Sequence, residues 1–336
     1  MNGFLRASSR AFGFCGLVLL VGAAFTLLEP RFLSHASLNG IARHMAANGL
    51  AALGLTFVVI VRRFDLSIAG VAALAAMSMG AMIAAGLPLW AAVCGGLALG
   101  ALIGAVSGVA ISYFNLPDIV TTIAVGSICG GMAFLYTGGR SIFQNFFQSG
   151  ITDLNDARLL GLGVSLWILL AIYAVAWFAM SCTRTGIAFY ATGENPIAAH
   201  YSGIATRRYT ALAYMLCAVC TVLAVLLILA ESGNAETNKG ANLMMPAYAG
   251  VFLGAAVMGG ASVFASFAGI LLITMLLDGF ALMGVPYYYS DGVVSLILLG
   301  GVVAFSDSLR DWFAGLRVLL PRPARPSAAR TSEDRA

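Results

Sequence analysis

Charge is what this chain has least of. Only 10% of its 336 residues are charged, against 60% hydrophobic, whereas a soluble domain typically has about 25% charged residues. Lysine is reduced to Lys239, which is followed by Gly240. A phosphate-cradling Walker A loop needs a lysine directly before Ser or Thr, so the chain has no ATP site of that kind. The three histidines, His35, His44 and His200, stand in separate polar stretches without HExxH spacing, and no G-x-S-x-G elbow occurs. No hydrolytic set is visible. Cys217 and Cys220 have C-x-x-C spacing, but no second pair or nearby histidine completes a metal site. All six cysteines lie in or beside apolar segments and read as small packing residues. Neither a metal nor a cofactor is expected, and no catalytic residue is assigned.

What remains is lipid-compatible sequence. The mean hydropathy is +0.93, far above the soluble range, and a membrane span needs roughly 20 apolar residues. The pattern predicts an all-α polytopic membrane protein of about ten helices, over 11–29, 46–61, 66–86, 88–113, 118–137, 162–181, 209–230, 246–258, 262–284 and 289–306; the second and eighth are short. The first segment follows Arg6 and Arg10 like a signal peptide, but it has no clean small-residue cleavage site and is read as a retained anchor. Residues 1–309 form one transmembrane domain, and 310–336 form a basic, disordered tail suited to anionic lipid.

Arginine placement predicts the orientation. With the N-terminus inside, the inner face holds Arg6, Arg10, Arg62, Arg63, Arg184, Arg207, Arg208, Arg310, Arg317, Arg322, Arg325, Arg330 and Arg335. The outer face holds only Arg31, Arg43, Arg140, Arg158 and Lys239. The positive-inside rule then puts both termini in the cytoplasm. The net charge of +4 reflects topology and implies no nucleic-acid partner.

The longest basic interruption, 181–209, falls on that inner side. Within it, GENPIAAHYSGI reads as a helix of about two turns. Asn195 is a capping residue, Pro196 suits the first helical position, and Gly203 suits the positive φ that follows a helix. Such an ordered polar element suits contact with another protein. Gly193, Glu194, Asn195, Pro196, Ala198, Ala199 and Gly203 are the candidate docking residues, the small ones permitting close approach.

Transport against a gradient must draw on ATP or an ion. Ion-coupled carriers keep charges within their spans, and here Asp278 is the one acid that looks well embedded. Asp65, Ser67, Thr121, Thr122 and Asp278 are the candidate pathway or gate residues. Asp65 also suits capping of the third span, the two threonines also suit back-bonding to their own helix, and Asp278 equally suits a bond to a neighbouring helix. Gly96, Gly100, Gly104 and Gly108 recur every four residues, a stripe that favours close helix packing.

Four stretches then resemble one family. Gly54-Leu55-Thr56-Phe57-Val58-Val59-Ile60 with Phe64-Asp65-Leu66-Ser67 looks like its GxTxVIxxxGIDLSVG signature. Asn115-Leu116-Pro117 through Thr121-Thr122 to Leu135-Tyr136-Thr137-Gly138-Gly139-Arg140 resembles the second block. Thr183-Arg184-Thr185-Gly186 through Thr192-Gly193-Glu194-Asn195-Pro196-Ile197-Ala198-Ala199-His200-Tyr201-Ser202-Gly203-Ile204 resembles the third, the most specific. Ala249 to Gly260 and Leu277-Asp278-Gly279 to Gly284-Val285 resemble the last. The family is that of the inner-membrane permease subunits of bacterial ATP-binding cassette sugar importers, the ribose, xylose, arabinose and galactoside type within the broader branched-chain amino acid permease group.

The resemblance implies a type II, vitamin B12 importer-like permease architecture and a translocation subunit that performs no chemistry. It implies a separate ATPase subunit gripping a coupling helix at 193–206 within the cytoplasmic loop 181–209, a second permease subunit, and a periplasmic or lipid-anchored solute-binding protein. Monosaccharide cargo is expected, with nucleosides and amino acids open within the wider group. Arg62-Arg63-Phe64 stands where the family has two glycines, and the later glycine-rich block is thinned, so a pair of non-identical permeases is as open as a homodimer. An ion-coupled secondary carrier and a membrane enzyme are the readings from other classes.

Overall fold

The computed structural model describes residues 2–305; the tail expected over 310–336 lies outside them. The elements in chain order are α1 (Asn2–Leu28), α2 (His35–Ile60), α3 (Ile68–Ala84), α4 (Leu89–Ser112), α5 (Asp118–Thr137), α6 (Asp153–Asp156), a hairpin of β1 (Arg158–Leu159) and β2 (Leu162–Gly163), α7 (Val164–Cys182), α8 (Arg184–Glu194), α9 (Pro196–Tyr201), α10 (Thr206–Ser232), α11 (Met244–Met258), α12 (Val263–Leu282) and α13 (Tyr287–Phe305). The chain is therefore an all-α polytopic membrane protein. Among the described residues, seven helices are long and apolar enough to cross a membrane. Three shorter apolar helical stretches, Phe14–Leu28, Ile68–Ala84 and Tyr288–Gly300, accompany them.

Helix α2 is the axis of the bundle. It is buried from Met45 to Val61 apart from the partly exposed Asn48, and α10, α12, α11 and α7 pack around it. Its expected start near residue 46 moves back to His35 because the polar residues of its first turns find partners. Ser34 caps the helix, accepting from the Ser37 amide at 3.2 Å, Asn39 donates to the His35 carbonyl at 2.8 Å, and Arg43 reaches the Asn155 side chain at 3.4 Å. Farther in, the Thr56 hydroxyl joins Ser266 of α12 at 2.6 Å, and the Tyr173 hydroxyl of α7 donates to the Gly49 carbonyl at 2.9 Å. These bonds fix rotation and register, which apolar contact in lipid leaves loose.

Glycine sets how closely the other helices approach. The α4 stripe faces α10: a Cβ on Gly104 would stand 2.6 Å from the Met215 Cα and the Tyr214 carbonyl oxygen, and one on Gly108 would stand 2.6 Å from the Ala211 carbonyl oxygen. Gly96 and Gly100 meet Met79 and Val222 side chains in the same way. On α3, Gly70 lies against the Gly126 carbonyl of α5, and Gly254 of α11 lies against the Ala265 carbonyl of α12. With little hydrophobic drive between helices in lipid, such backbone contact is where packing energy comes from. Helix α1 rides on the outside of α12 through Phe14, packed on Ala268 and Leu272, and through Phe25, edge-on to Phe280 at 5.7 Å.

Candidate coupling surface and polar path

The 181–209 break holds two helices where the sequence predicts one. Thr183 caps α8, its hydroxyl accepting from the Gly186 amide at 3.5 Å. Gly186 lets α8 turn back against the Met180 carbonyl of α7, and Gly193 lets the far end of α8 lie on the Ile60 carbonyl of α2. Between them Phe189 is fully buried. Its ring centroid is 6.1 Å from that of Phe57 of α2 and 5.4 Å from that of Tyr209 of α10. Helix α8 is thus a strut wedged into the main bundle.

Helix α9 follows with the caps read from the sequence. The Asn195 side chain accepts from the Ala198 amide at 2.9 Å, and Pro196 takes the first helical position. Gly203 has φ 84°, with its amide donating to the His200 carbonyl at 3.0 Å and the Ile204 amide donating to Ala199 at 3.0 Å. The caps aim the helix so that Ala199 turns inward, 5% exposed, while Ile197 and Tyr201 stand 70% and 86% exposed. Ile187 of α8 adds a third exposed apolar residue at 68%. Two open clefts flank α9, one of about 920 Å³ beside Ile197, His200, Tyr201 and Arg207 and one of about 640 Å³ beside Arg184, Ile187 and Arg208. Of the candidate docking residues, Asn195, Pro196 and Gly203 shape the helix, Gly193 and Ala199 seat it, and Ala198 and Glu194 are exposed. The larger exposed side chains, Ile197 and Tyr201, were not singled out in the sequence.

At the same end of the bundle, the turn between α2 and α3 is stapled from three sides. The Tyr248 hydroxyl of α11 accepts from the Asp65 amide and donates to the Asp65 carbonyl, both at 2.9 Å. The Leu66 amide donates to the Thr122 hydroxyl at 3.1 Å, the Phe64 amide to the Asp118 carboxylate at 3.1 Å, and the Tyr214 hydroxyl to the Phe64 carbonyl at 3.0 Å. Asp65 itself accepts from the Ser67 amide at 2.9 Å and hydroxyl at 2.6 Å. It therefore closes the turn just before α3 and leaves the first-turn amides of that helix uncapped by its side chain. Burial pushes the Asp65 carboxyl above the usual carboxylate range, and the Ser67 hydrogen bonds oppose that rise. Asp65, Ser67 and Thr122 form one unit. Thr121 stays outside it, donating to the Pro117 carbonyl of its own helix at 2.8 Å.

Asp278 belongs to a different cluster. His44 Nδ1 and Asp278 Oδ1 lie 2.6 Å apart, and His44 Nε2 is 3.8 Å from the Glu231 carboxylate. Three helices, α12, α2 and α10, converge here. The other Asp278 oxygen is buried without a hydrogen-bond partner, whereas the His44 side chain is 50% exposed. Ionisable groups this open within an apolar bundle belong on a water-filled or protein-covered face, because lipid contact is costly for them. His44, Tyr214 and Tyr248 carry no local sequence signal of these roles; Glu231, an acid ending a long apolar run, is the one of the four that stands out. Among the described residues no group of three or more His, Cys, Asp and Glu residues could hold a metal ion. The arrangement offers hydrogen-bonding groups at the His44 cluster and exposed apolar side chains on α8 and α9.

Comparison with known proteins identifies the family. The chain is 28% identical over 295 residues to the ribose import permease protein RbsC of Haemophilus influenzae, covering 87% of this chain and 91% of that one. It is 30% identical over 312 residues to the autoinducer 2 import system permease protein LsrD of Photorhabdus laumondii, covering 90% and 94%, and 28% identical over 292 residues to RbsC of Escherichia coli K12, covering 85% and 90%. No solved structure matches it. The family model for the permease component of the branched-chain amino acid transport system matches residues 37–302, and the chain belongs to that family of membrane permeases.

Proposed function

We propose that this protein is the translocation subunit of an ATP-binding cassette importer for a monosaccharide or similar small polar solute, resident in the bacterial inner membrane. The observation that carries the reading is α9, a capped six-residue helix that shows Ile197 and Tyr201 to solvent while its neighbour α8 is wedged between α2 and α10. A separate ATPase subunit grips that surface, and its motion passes through α8 into the bundle. Ten spans in a type II arrangement, counting the three shorter apolar helices, place both termini and α9 in the cytoplasm. A second permease subunit, identical or not, completes the pore, and a solute-binding protein loads it from outside. His44, Asp278 and Glu231 line the wet side, where solute hydroxyls pass. The similarity to ribose and autoinducer 2 permeases supports a sugar-like cargo.

The test is co-expression with the candidate ATPase. An Ile197→Glu, Tyr201→Glu pair removes apolar docking surface without touching the core, so the ATPase should be lost on purification while the melting temperature stays unchanged. Undiminished retention of the ATPase would sink the coupling reading. The embedded His44–Asp278 pair is the one observation favouring an ion-coupled carrier. Uptake driven by an imposed proton gradient in proteoliposomes of this chain alone would establish that alternative.

A further inference from the structure

We propose that the cavity at the root of α9 is a binding site for a phosphate-class oxyanion. The cavity, of about 390 Å³, lies where the ends of α2, α4 and α8 meet the starts of α9 and α10. Arg62, Arg63 and Arg207 all line it, together with Asn115, Thr192 and Pro196, and no acidic residue is among its lining. Its volume falls in the range of small-ligand sites, roughly 300–1,000 Å³. The guanidinium fork is the side chain that best matches the oxygens of phosphate.

The bland alternative is that these arginines only obey the positive-inside rule. That rule asks for basic residues in a loop, and it does not gather three around one cavity. Nor does it account for Arg62. This residue sits at φ 55°, ending α2 with its own amide donated to the Val59 carbonyl and the next amide to Val58, both at 3.0 Å. That is the left-handed position after a helix, where glycine is least strained. An arginine there carries backbone strain that the positive-inside rule does not ask for. Arg207 is aimed rather than free, with its guanidinium carbon 6.0 Å from the Tyr113 ring centroid. Glu194 pairs with Arg62 at 3.9 Å from a position 75% exposed, and Asp118 is engaged by the Phe64 amide. Three arginines with exposed side chains thus line one half-open space, and an oxyanion seated among them would meet charge-assisted donors from more than one side.

The site goes beyond the transport reading and does not rest on it. A bound oxyanion would bridge the end of α2 to the start of α10 across Pro196, the first residue of α9. Its source is either a free phosphate or phosphate monoester, or the headgroup of an anionic phospholipid. The experiment uses the full chain in nanodiscs, titrating inorganic phosphate against thermal unfolding in neutral lipid, and measuring phosphatidylglycerol retained from mixed lipid by mass spectrometry.

A free-anion site gives a saturable rise in melting temperature with phosphate. The Arg63→Gln, Arg207→Gln pair should weaken it roughly a hundredfold or more, the loss of two charge-assisted bonds. Glu194→Gln, which releases Arg62 from its carboxylate, should strengthen it. A headgroup site gives no phosphate response once phosphatidylglycerol is present, but selective retention of that lipid, lost in the double arginine variant. The proposal is overturned if chloride at equal ionic strength reproduces the phosphate response, or if neither phosphate response nor lipid retention changes in the double arginine variant and in Glu194→Gln.

Discussion

Replacing Tyr248 by phenylalanine removes one oxygen atom from the interior of the bundle and leaves the ring in place. That oxygen serves both the amide and the carbonyl of Asp65, each at 2.9 Å, at a residue only 2% exposed. The variant leaves a buried amide without its acceptor, which costs about 1–3 kcal/mol, and a carbonyl without its donor, worth about 0.5–1.5 kcal/mol. The sum is about 1.5–4.5 kcal/mol. With an unfolding entropy of about 2.1 cal/mol/K per residue, a chain of 336 residues loses one degree of melting temperature for about 0.7 kcal/mol. Tyr248→Phe should therefore melt about 2–6 °C lower, read by tryptophan fluorescence at a fixed scan rate in detergent. Tyr214→Phe strips only the Phe64 carbonyl of its partner and should fall less far. Tyr289→Phe, at a residue 61% exposed, should not move. A Tyr248→Phe protein melting within a degree of the parent, or one falling less than Tyr214→Phe, would refute the idea that this hydroxyl pins the turn.

Gly104→Ala brings a Cβ to 2.6 Å from backbone atoms of Met215 and Tyr214, so α4 and α10 must part. A loss of about 1–3 kcal/mol is expected, against none for Gly130→Ala, whose Cβ meets nothing within 4 Å; equal melting temperatures would contradict the crossing described. Asp65 carries a raised carboxyl pKa in the fold, so the stability it contributes is present below the unfolded value of about 3.9 and lost as pH rises through the raised one. The melting temperature of the parent relative to Asp65→Asn should accordingly decline from acid to neutral pH, and a pH-independent difference would show that the carboxyl does not titrate there. A double-mutant cycle on His44 and Asp278 should return a coupling of about 0.6–1.7 kcal/mol, the range for hydrogen bonds between membrane helices; a coupling near zero would mean that the pair is not formed.

What the sequence reveals follows the distance between cause and effect along the chain. The caps of α9 are legible because Asn195, Pro196 and Gly203 act within one short element, and the α4 stripe because its period is that of the helix itself. The start of α2 misreads for a physical reason. His35, Asn39, Arg43 and His44 look like loop residues until their partners are known, and Asn155 lies 112 positions on. The Asp65–Tyr248 and His44–Asp278 bonds bridge 183 and 234 positions, set by helix rotation that no local pattern encodes. The end of α2 is legible all the same, expected at residue 61 and observed at Ile60, because the apolar run stops at Arg62. The inward face of Ala199 was equally invisible, because a helix of six residues is too short for periodicity to assign a buried side.

The length of α10 has a mechanical consequence. At about 1.5 Å per residue, its 27 residues make a rod of about 40 Å, gripped near one end by Phe189 of α8 and ending near Glu231. If that rod pivots about the end held by Phe189 by about 5°, its far end sweeps about 3.5 Å. That displacement is comparable to the 3.8 Å that separates Glu231 from His44. A tilt too small to alter the packing around Phe189 is therefore large enough, at the opposite end of the same helix, to decide whether the three ionisable groups stay together.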